Sequence, residues 1–269
     1  MKLKDSLCTV LKAVLSKELN QPSGLLDVEH CLSLLRESDQ LDQADELSTE
    51  EISCCAYPSS PLYTEIADRL ATWIKTGTLP HRNLKTFYLL DEEPKETFLK
   101  LEEVWPSLKA FEISDSQYKT KVVTSFIEKL GVKGLLVLLG VRHTVGSTEN
   151  FPPDKTVLIK SFNKKHNPNA NLTVGARALS KHVHRDHSAG WWGELKGSEE
   201  EKNEQSLKVL FRILNDAAWI NIHSIAGELK VLEVRCSEGY GAWWTCDGKQ
   251  FRGFLEPQMK DGHVLKWRH

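Results

Sequence analysis

The amino-acid sequence predicts an α+β protein, with a mostly helical N-terminal half and a C-terminal half in which helices pack on a small antiparallel sheet. Three observations point there. Apolar residues recur at spacings of three and four through the first 130 positions. They alternate at a spacing of two from Val231 onward. Between these regimes, near Arg142, glycines and prolines interrupt the pattern. The halves read as residues 1–141, helical, and 142–269, α+β, either as separate regions or as one interleaved domain.

In the first half, Leu7, Val10, Leu11, Val14, Leu15 and Leu19 form a helical stripe, broken by Lys12 and Lys17. A secretory signal would need an unbroken apolar stretch instead. A second helix is expected from Leu25 to Leu35, and Glu37 to Glu51 reads as an acidic, solvated loop or weak helix. Pro61 suits the first turn of a helix over Leu62–Ile74, which ends near Thr76-Gly77. Another helix is expected over Asp115–Lys129, terminated by Gly131. The longest apolar run, Gly134–Val141, falls far short of the roughly 18 residues that span a bilayer and reads as a buried segment.

The second half opens with a loop over Val145–Asp154 and an expected strand over Thr156–Phe162. After a polar loop, a helix begins near Leu172 with Asn171 as its N-cap. Gly190–Gly197 reads as a loop. Ser198 and Glu201 have the spacing of a capping box that opens a helix packing through Leu207, Leu210, Phe211 and Leu214. Four strands follow, over Trp219–His223, Val231–Cys236, Tyr240–Cys246 and Lys249–Leu255, with turns at Ser237-Glu238-Gly239 and Asp247-Gly248. The tail, ending in Trp267-Arg268-His269, is expected to fold back on this sheet.

The composition restricts function by exclusion. The net charge is −2, so the chain is not basic overall. The six cysteines form no CxxC pair or zinc-finger spacing and read as reduced thiols of the cytoplasm or nucleus, with Cys236 and Cys246 facing each other across a hairpin. There is no phosphate-binding glycine loop, dinucleotide fingerprint, kinase motif or nucleophile elbow.

Three constellations could carry chemistry. The first is His182-Val183-His184-Arg185-Asp186-His187, followed after two residues by Gly190. This HxHxDH string resembles the metal-binding motif of the metallo-β-lactamase superfamily, in which the histidines and the aspartate hold two metals that activate water. The resemblance covers the ten residues 181–190. It implies zinc at His182, His184 and His187. Around it the sequence departs from that family: Leu172–Ser180 reads as a helix, where the family has a strand, and the earlier and later family motifs are missing. On a continuing helix His182 and His184 point about 200° apart, which is poor chelation. A more general site adds His223 and His263, since neutral imidazoles ligate zinc and related metals. The competing reading is histidines engaged in ordinary hydrogen bonds.

The second is basic. Lys155, Lys160, Lys164, Lys165, Arg177, Lys181 and Arg185 occur with no acid among them, and Arg177, Lys181 and His184 share a helical face. Such a face attracts phosphate or nucleic acid, on which Trp191 and Trp192 would stack. A solvated face balanced by the acidic first half is the alternative. The third is the C-terminal sheet. Phe251, Gly253 and Leu255 are expected to alternate with Arg252, Phe254 and Glu256. Glu233, Arg235, Arg252 and Glu256 would then form a charged wall, with Tyr240 nearby, unless they are only a solvent-facing ladder.

Six of the eight tryptophans lie after position 190, which favours a site in this half. The expected function is a binding or adaptor protein that takes an anion or nucleic acid through Arg177, Lys181, Arg185, Trp191, Trp192, Arg235, Tyr240 and Arg252, with a protein partner on the helical half and no membrane contact. The alternative is a metal-dependent hydrolase built on the histidines, with Glu194, Glu233 or Glu256 as base. A structural subunit of a complex is the third reading.

Overall fold

The computed structural model describes residues 2–38, 56–78, 95–144, 146–183, 190–225 and 229–257. The expected loop or weak helix of Glu37–Glu51 lies outside them apart from its first two residues, and the C-terminal tail lies outside them from residue 258. The chain divides into two compact units. One draws on Met1–Ser38, Pro58–Leu84 and Glu92–Phe151, the other on Asp39–Tyr57, Lys85–Asp91 and Pro152–His269.

The described part of the first unit is helical: α1 (Leu3–Asn20), α2 (Val28–Leu35), α3 (Leu62–Thr76), α4 (Lys95–Lys109) and α5 (Ser116–Leu138). The leucine stripe of α1 is its buried face, and it packs on α2, α3 and α5. Asp27 and Asp115 cap α2 and α5 through their carboxylates. Gly77, in the left-handed region, closes α3. Gly131 at φ +59° breaks α5 as expected, but the helix resumes beyond it. The apolar run from Gly134 continues α5 and is buried throughout. No helix among the described residues is long and apolar enough to cross a membrane.

The second unit holds α6 (Lys155–Asn163), α7 (Val174–Val183), α8 (Glu199–Asn215) and a four-stranded antiparallel sheet in the order β1 (Ala217–Ser224), β2 (Lys230–Cys236), β3 (Gly241–Thr245), β4 (Phe251–Leu255). The expected strand over Thr156–Phe162 is α6. Its β-branched residues favour a strand, but the Asp154 carboxylate accepts from the Thr156 backbone N–H at 2.7 Å and starts a helix. That helix buries Leu158, Ile159 and Phe162 on one face, so packing overrides propensity. The helix expected from Leu172 begins at Val174, and Thr173 Oγ1 rather than Asn171 accepts from its first turn. Asn171 instead donates to Glu199 and Glu200 at the start of α8. The capping box of Ser198 and Glu201 is present.

Strand alternation gives the sheet two unlike faces. Ile220, Ile222, Leu232, Val234, Ala242 and Trp244 lie on one side and are fully buried, with α7 and α8 packed on the sheet. The expected alternation in β4 fails at a bulge: Trp243 pairs with Gly253, but Trp244 pairs with Phe251. The extra residue, Arg252, lets both Phe251 and Phe254 enter the core, where they meet Phe162 edge to face. Cys236 and Cys246 do not face each other. They stand at opposite ends of the β2–β3 pair, because Arg235 pairs with Gly241 and Val231 with Thr245.

Gly175 of α7 lies against the Phe162 ring, and a Cβ there would come within 2.1 Å of it. Phe162 is fully buried between Phe251 and Phe254 and cannot step aside. Gly175→Ala is therefore expected to destabilise the second unit by about 1–3 kcal/mol, measured by denaturant unfolding, despite alanine's better helix propensity.

Candidate functional site

The other face of the sheet is polar. Trp219, Asn221 and His223 of β1 stand opposite Arg235, Glu233 and Val231 of β2. On this face His223 Nε2 meets Glu233 Oε2 at 3.2 Å. The Arg235 Nε–H donates to the other oxygen, Glu233 Oε1. Arg235 Nη1 donates to the carbonyls of Gly239 at 2.7 Å and Glu256 at 2.8 Å. Arg235 is 3% exposed and Asn221 2%, whereas the His223 side chain keeps 25% of its surface open. A buried guanidinium thus fixes a carboxylate, which in turn holds the most accessible group, an imidazole.

The electrostatics follow from the geometry. Burial alone would raise the Glu233 carboxyl above its ordinary range. The hydrogen bond from His223 and the charge of Arg235 outweigh it and bring the group down to about 2. The hydrogen bond to Glu233 raises the His223 pKa, against the opposing effect of burial. Both shifts act in the same sense, favouring the carboxylate of Glu233 and the imidazolium of His223 over their neutral forms. The raised pKa of His223 contributes stability that is present below its unfolded value near 6.5 and is lost as pH climbs through the folded value. The lowered pKa of Glu233 contributes stability that is present above 4.5 and lost as pH falls toward about 2. Thermal denaturation across pH is expected to show a plateau between these limits. His223→Ala should remove the decline on the alkaline side that starts above about 6.5.

A second cluster lies where α7 ends. His182 is 9% exposed, and its Nδ1 meets Glu256 Oε1 at 2.8 Å. The Trp192 indole N–H donates to the same oxygen at 2.9 Å. The His182 ring contacts Trp192 and Phe254, on the core side of the sheet. Beside it Trp191 is stacked parallel to Tyr240, with centroids 4.2 Å apart and planes 8° apart. The guanidinium of Arg212 lies over the Trp191 ring at 4.2 Å.

The sequence-predicted residues therefore divide. Glu233, Arg235 and His223 come together, and Glu256 joins them only through its backbone carbonyl. Glu194 is an exposed carboxylate paired with Lys196 at 2.7 Å. Arg252 lies over Trp243 at 5.7 Å. Arg177 and Lys181 are exposed on α7, whose buried face turns to the core side, so they do not share a face with His223. Trp191 and Trp192 are 7% and 2% exposed, and packing occupies their rings; this corrects the expectation that they offer open stacking surfaces. His184, Arg185, His187 and His263 lie outside the described residues. His182 and His223 each meet a different glutamate, and among the described residues no group of three or more His, Cys, Asp or Glu could hold a metal ion. Asn221 is a member of the polar face that sequence reasoning missed. Its signal was the alternation of Trp219, Asn221 and His223, in which one polar residue between two others points to a polar face.

Residues 161–256 match a family model described as the CdiA C-terminal tRNase toxin domain. The match takes in α7, α8 and all four strands, and it is shorter than half of the chain. No curated protein and no solved structure matches.

Proposed function

We propose that the second unit acts on transfer RNA and cleaves its phosphodiester backbone, with His223 and Glu233 as the acid–base pair and Arg235 as the residue that positions them. The observation that carries this reading is the His223–Glu233–Arg235 row on the polar face of a sheet that lies wholly within the stretch similar to a tRNase toxin domain.

RNA carries its own nucleophile, the ribose 2′-hydroxyl, so cleavage needs a proton acceptor, a proton donor and compensation for phosphate charge. Glu233 takes the 2′-hydroxyl proton as O2′ attacks the adjacent phosphorus. The His223 imidazolium gives its proton to the departing 5′-oxygen, and the P–O5′ bond breaks. The products are a 2′,3′-cyclic phosphate and a 5′-hydroxyl. A phosphate oxygen that enters the pair replaces Glu233 as the partner of His223. Losing that hydrogen bond removes one of the effects that hold the carboxylate near 2, so Glu233 becomes more basic when substrate is bound.

The test is incubation of the purified chain with total tRNA, with fragments resolved on a denaturing gel and their ends analysed. The expected result is discrete fragments bearing cyclic phosphate. Intact tRNA, or fragments with 5′-phosphate ends, would remove the mechanism. A second reading, binding without cleavage, draws on the exposed Arg177 and Lys181, which form no ion pair among the described residues. It predicts tRNA binding with a steep salt dependence that Arg177→Ala and Lys181→Ala flatten.

A further inference from the structure

The stack built on Trp191 has a feature that its packing role does not use. Tyr240, Trp191 and Arg212 make a ladder of flat groups: the two rings are parallel, and the guanidinium lies over the indole. Arg212 is locked in this pose. Its Nη1 donates to the Trp191 carbonyl at 3.2 Å and its Nη2 to Glu238 Oε1 at 2.7 Å. The Trp191 indole N–H donates to the same Glu238 oxygen at 2.9 Å. Trp191 is 7% exposed, yet the Arg212 side chain keeps 48% of its surface open. The outermost group of the ladder is thus a guanidinium held in place by two hydrogen bonds, on a side chain that is half exposed.

From this we infer that the Arg212–Trp191–Tyr240 ladder is a docking subsite for an unpaired nucleobase, which stacks on the open face of Arg212. Charge selects this ligand over a phosphate. Glu238 already neutralises Arg212 at 2.7 Å, and its carboxylate would repel an approaching phosphate. What is left is a flat, polarisable, roughly neutral surface, the chemistry on which RNA bases stack. The side-chain entropy of Arg212 is already lost in the free protein, so binding does not have to order it.

The subsite sits at the β2–β3 turn, whereas His223 pairs with Val231 at the far end of β2. Along β2 the two are separated by about 17 Å, five residues at the usual strand rise. A base held at Arg212 therefore belongs to a different part of the substrate from the phosphate at His223. As to its natural occupant, the inference rests on the RNA substrate proposed above, but its test does not.

The test uses the intact chain and two probes, AMP and ribose 5-phosphate, with phenylalaninamide as a control ligand and binding followed by the Trp191 indole N–H resonance in NMR. That resonance is assigned by its loss in Trp191→Phe. AMP is expected to shift it with an affinity at least about five-fold higher than ribose 5-phosphate. Arg212→Lys keeps the charge but not the plane and should erase the preference; Arg212→Ala should do the same. Equal binding of the two probes would mark an anion site and overturn the inference. Binding of phenylalaninamide as tightly as AMP would mark a site for protein side chains and overturn it as well, as would no response to either probe. A base preference in a chain that leaves tRNA intact supports the subsite and removes only the nuclease reading. Cleavage of tRNA without a base preference does the opposite.

Discussion

His223→Ala is expected to lower tRNA cleavage by about 10²- to 10⁴-fold with little loss of fold, because it removes the proposed proton donor and leaves the carboxylate and its arginine in place. The His223 side chain is a quarter exposed and reaches Glu233 at its tip, so its truncation opens no large cavity. The measurement is initial rate on a fixed tRNA, with circular dichroism as the fold control. The shape of the pH profile is the sharper readout. The hydrogen bond to Glu233 raises the His223 pKa above its ordinary value, so the alkaline fall in wild-type activity, as that proton is lost, should be displaced upward from that of a free imidazole. The residual activity of the variant should lack that limb. A variant that cleaves at the wild-type rate would exclude His223 as the donor.

The largest expected loss of stability comes from Arg235. Its guanidinium is 3% exposed and serves Glu233, the Gly239 carbonyl and the Glu256 carbonyl at once. Arg235→Ala would strand a carboxylate in a largely dry setting and leave two carbonyls without this donor. Removing one partner of a buried ion pair costs about 3–5 kcal/mol, since the remaining charge loses its compensation. Arg235→Lys places a single ammonium where a planar fork is needed and should recover only part of that cost. Chemical denaturation gives the free energies. The second expectation for Arg235→Ala is electrostatic: with the guanidinium gone, burial is opposed by His223 alone, and the Glu233 carboxyl rises from about 2 toward its ordinary value. A stability loss below about 1 kcal/mol would mean that water already reaches the pair and that Arg235 is not its support.

Much of the fold was legible because helices announce themselves by caps and stripes. Asp115, Ser198-Glu201 and Gly77 ended or began elements where local chemistry said they would. The turns between β2 and β3 and between β3 and β4 were readable for the same reason. The misreading of α6 has a physical source: the run Thr156-Val157-Leu158-Ile159 suits either a strand or a buried helix, and only the cap at Asp154 and the partners of Phe162 decide. The bulge at Arg252 was invisible because alternation is a local rule and a bulge is settled by the strand beside it. At the site, Glu233 and Arg235 were legible from their spacing of two. His223 was singled out as a possible metal ligand, whereas its partner in the fold is the Glu233 carboxylate. The tryptophans misled in the other direction. Clustered large rings are as good a sign of a core as of a surface, and Trp192 is core.

The strand order β1-β2-β3-β4 has a consequence for how the chain acquires this site. Each strand pairs with its immediate successor, and α8 runs straight into β1 and packs on the hairpin that follows. Nearly all pairings in residues 199–255 are between sequence neighbours, so little loop entropy is lost before contacts form. A meander of this kind can zip hairpin by hairpin, and its low contact order places it toward the faster end of sheet-containing proteins. Glu233 and Arg235 sit on one strand, and His223 is one turn away on the preceding one. The His223–Glu233–Arg235 row would therefore assemble with the first hairpin, early in folding, rather than wait for the last strand to close the sheet.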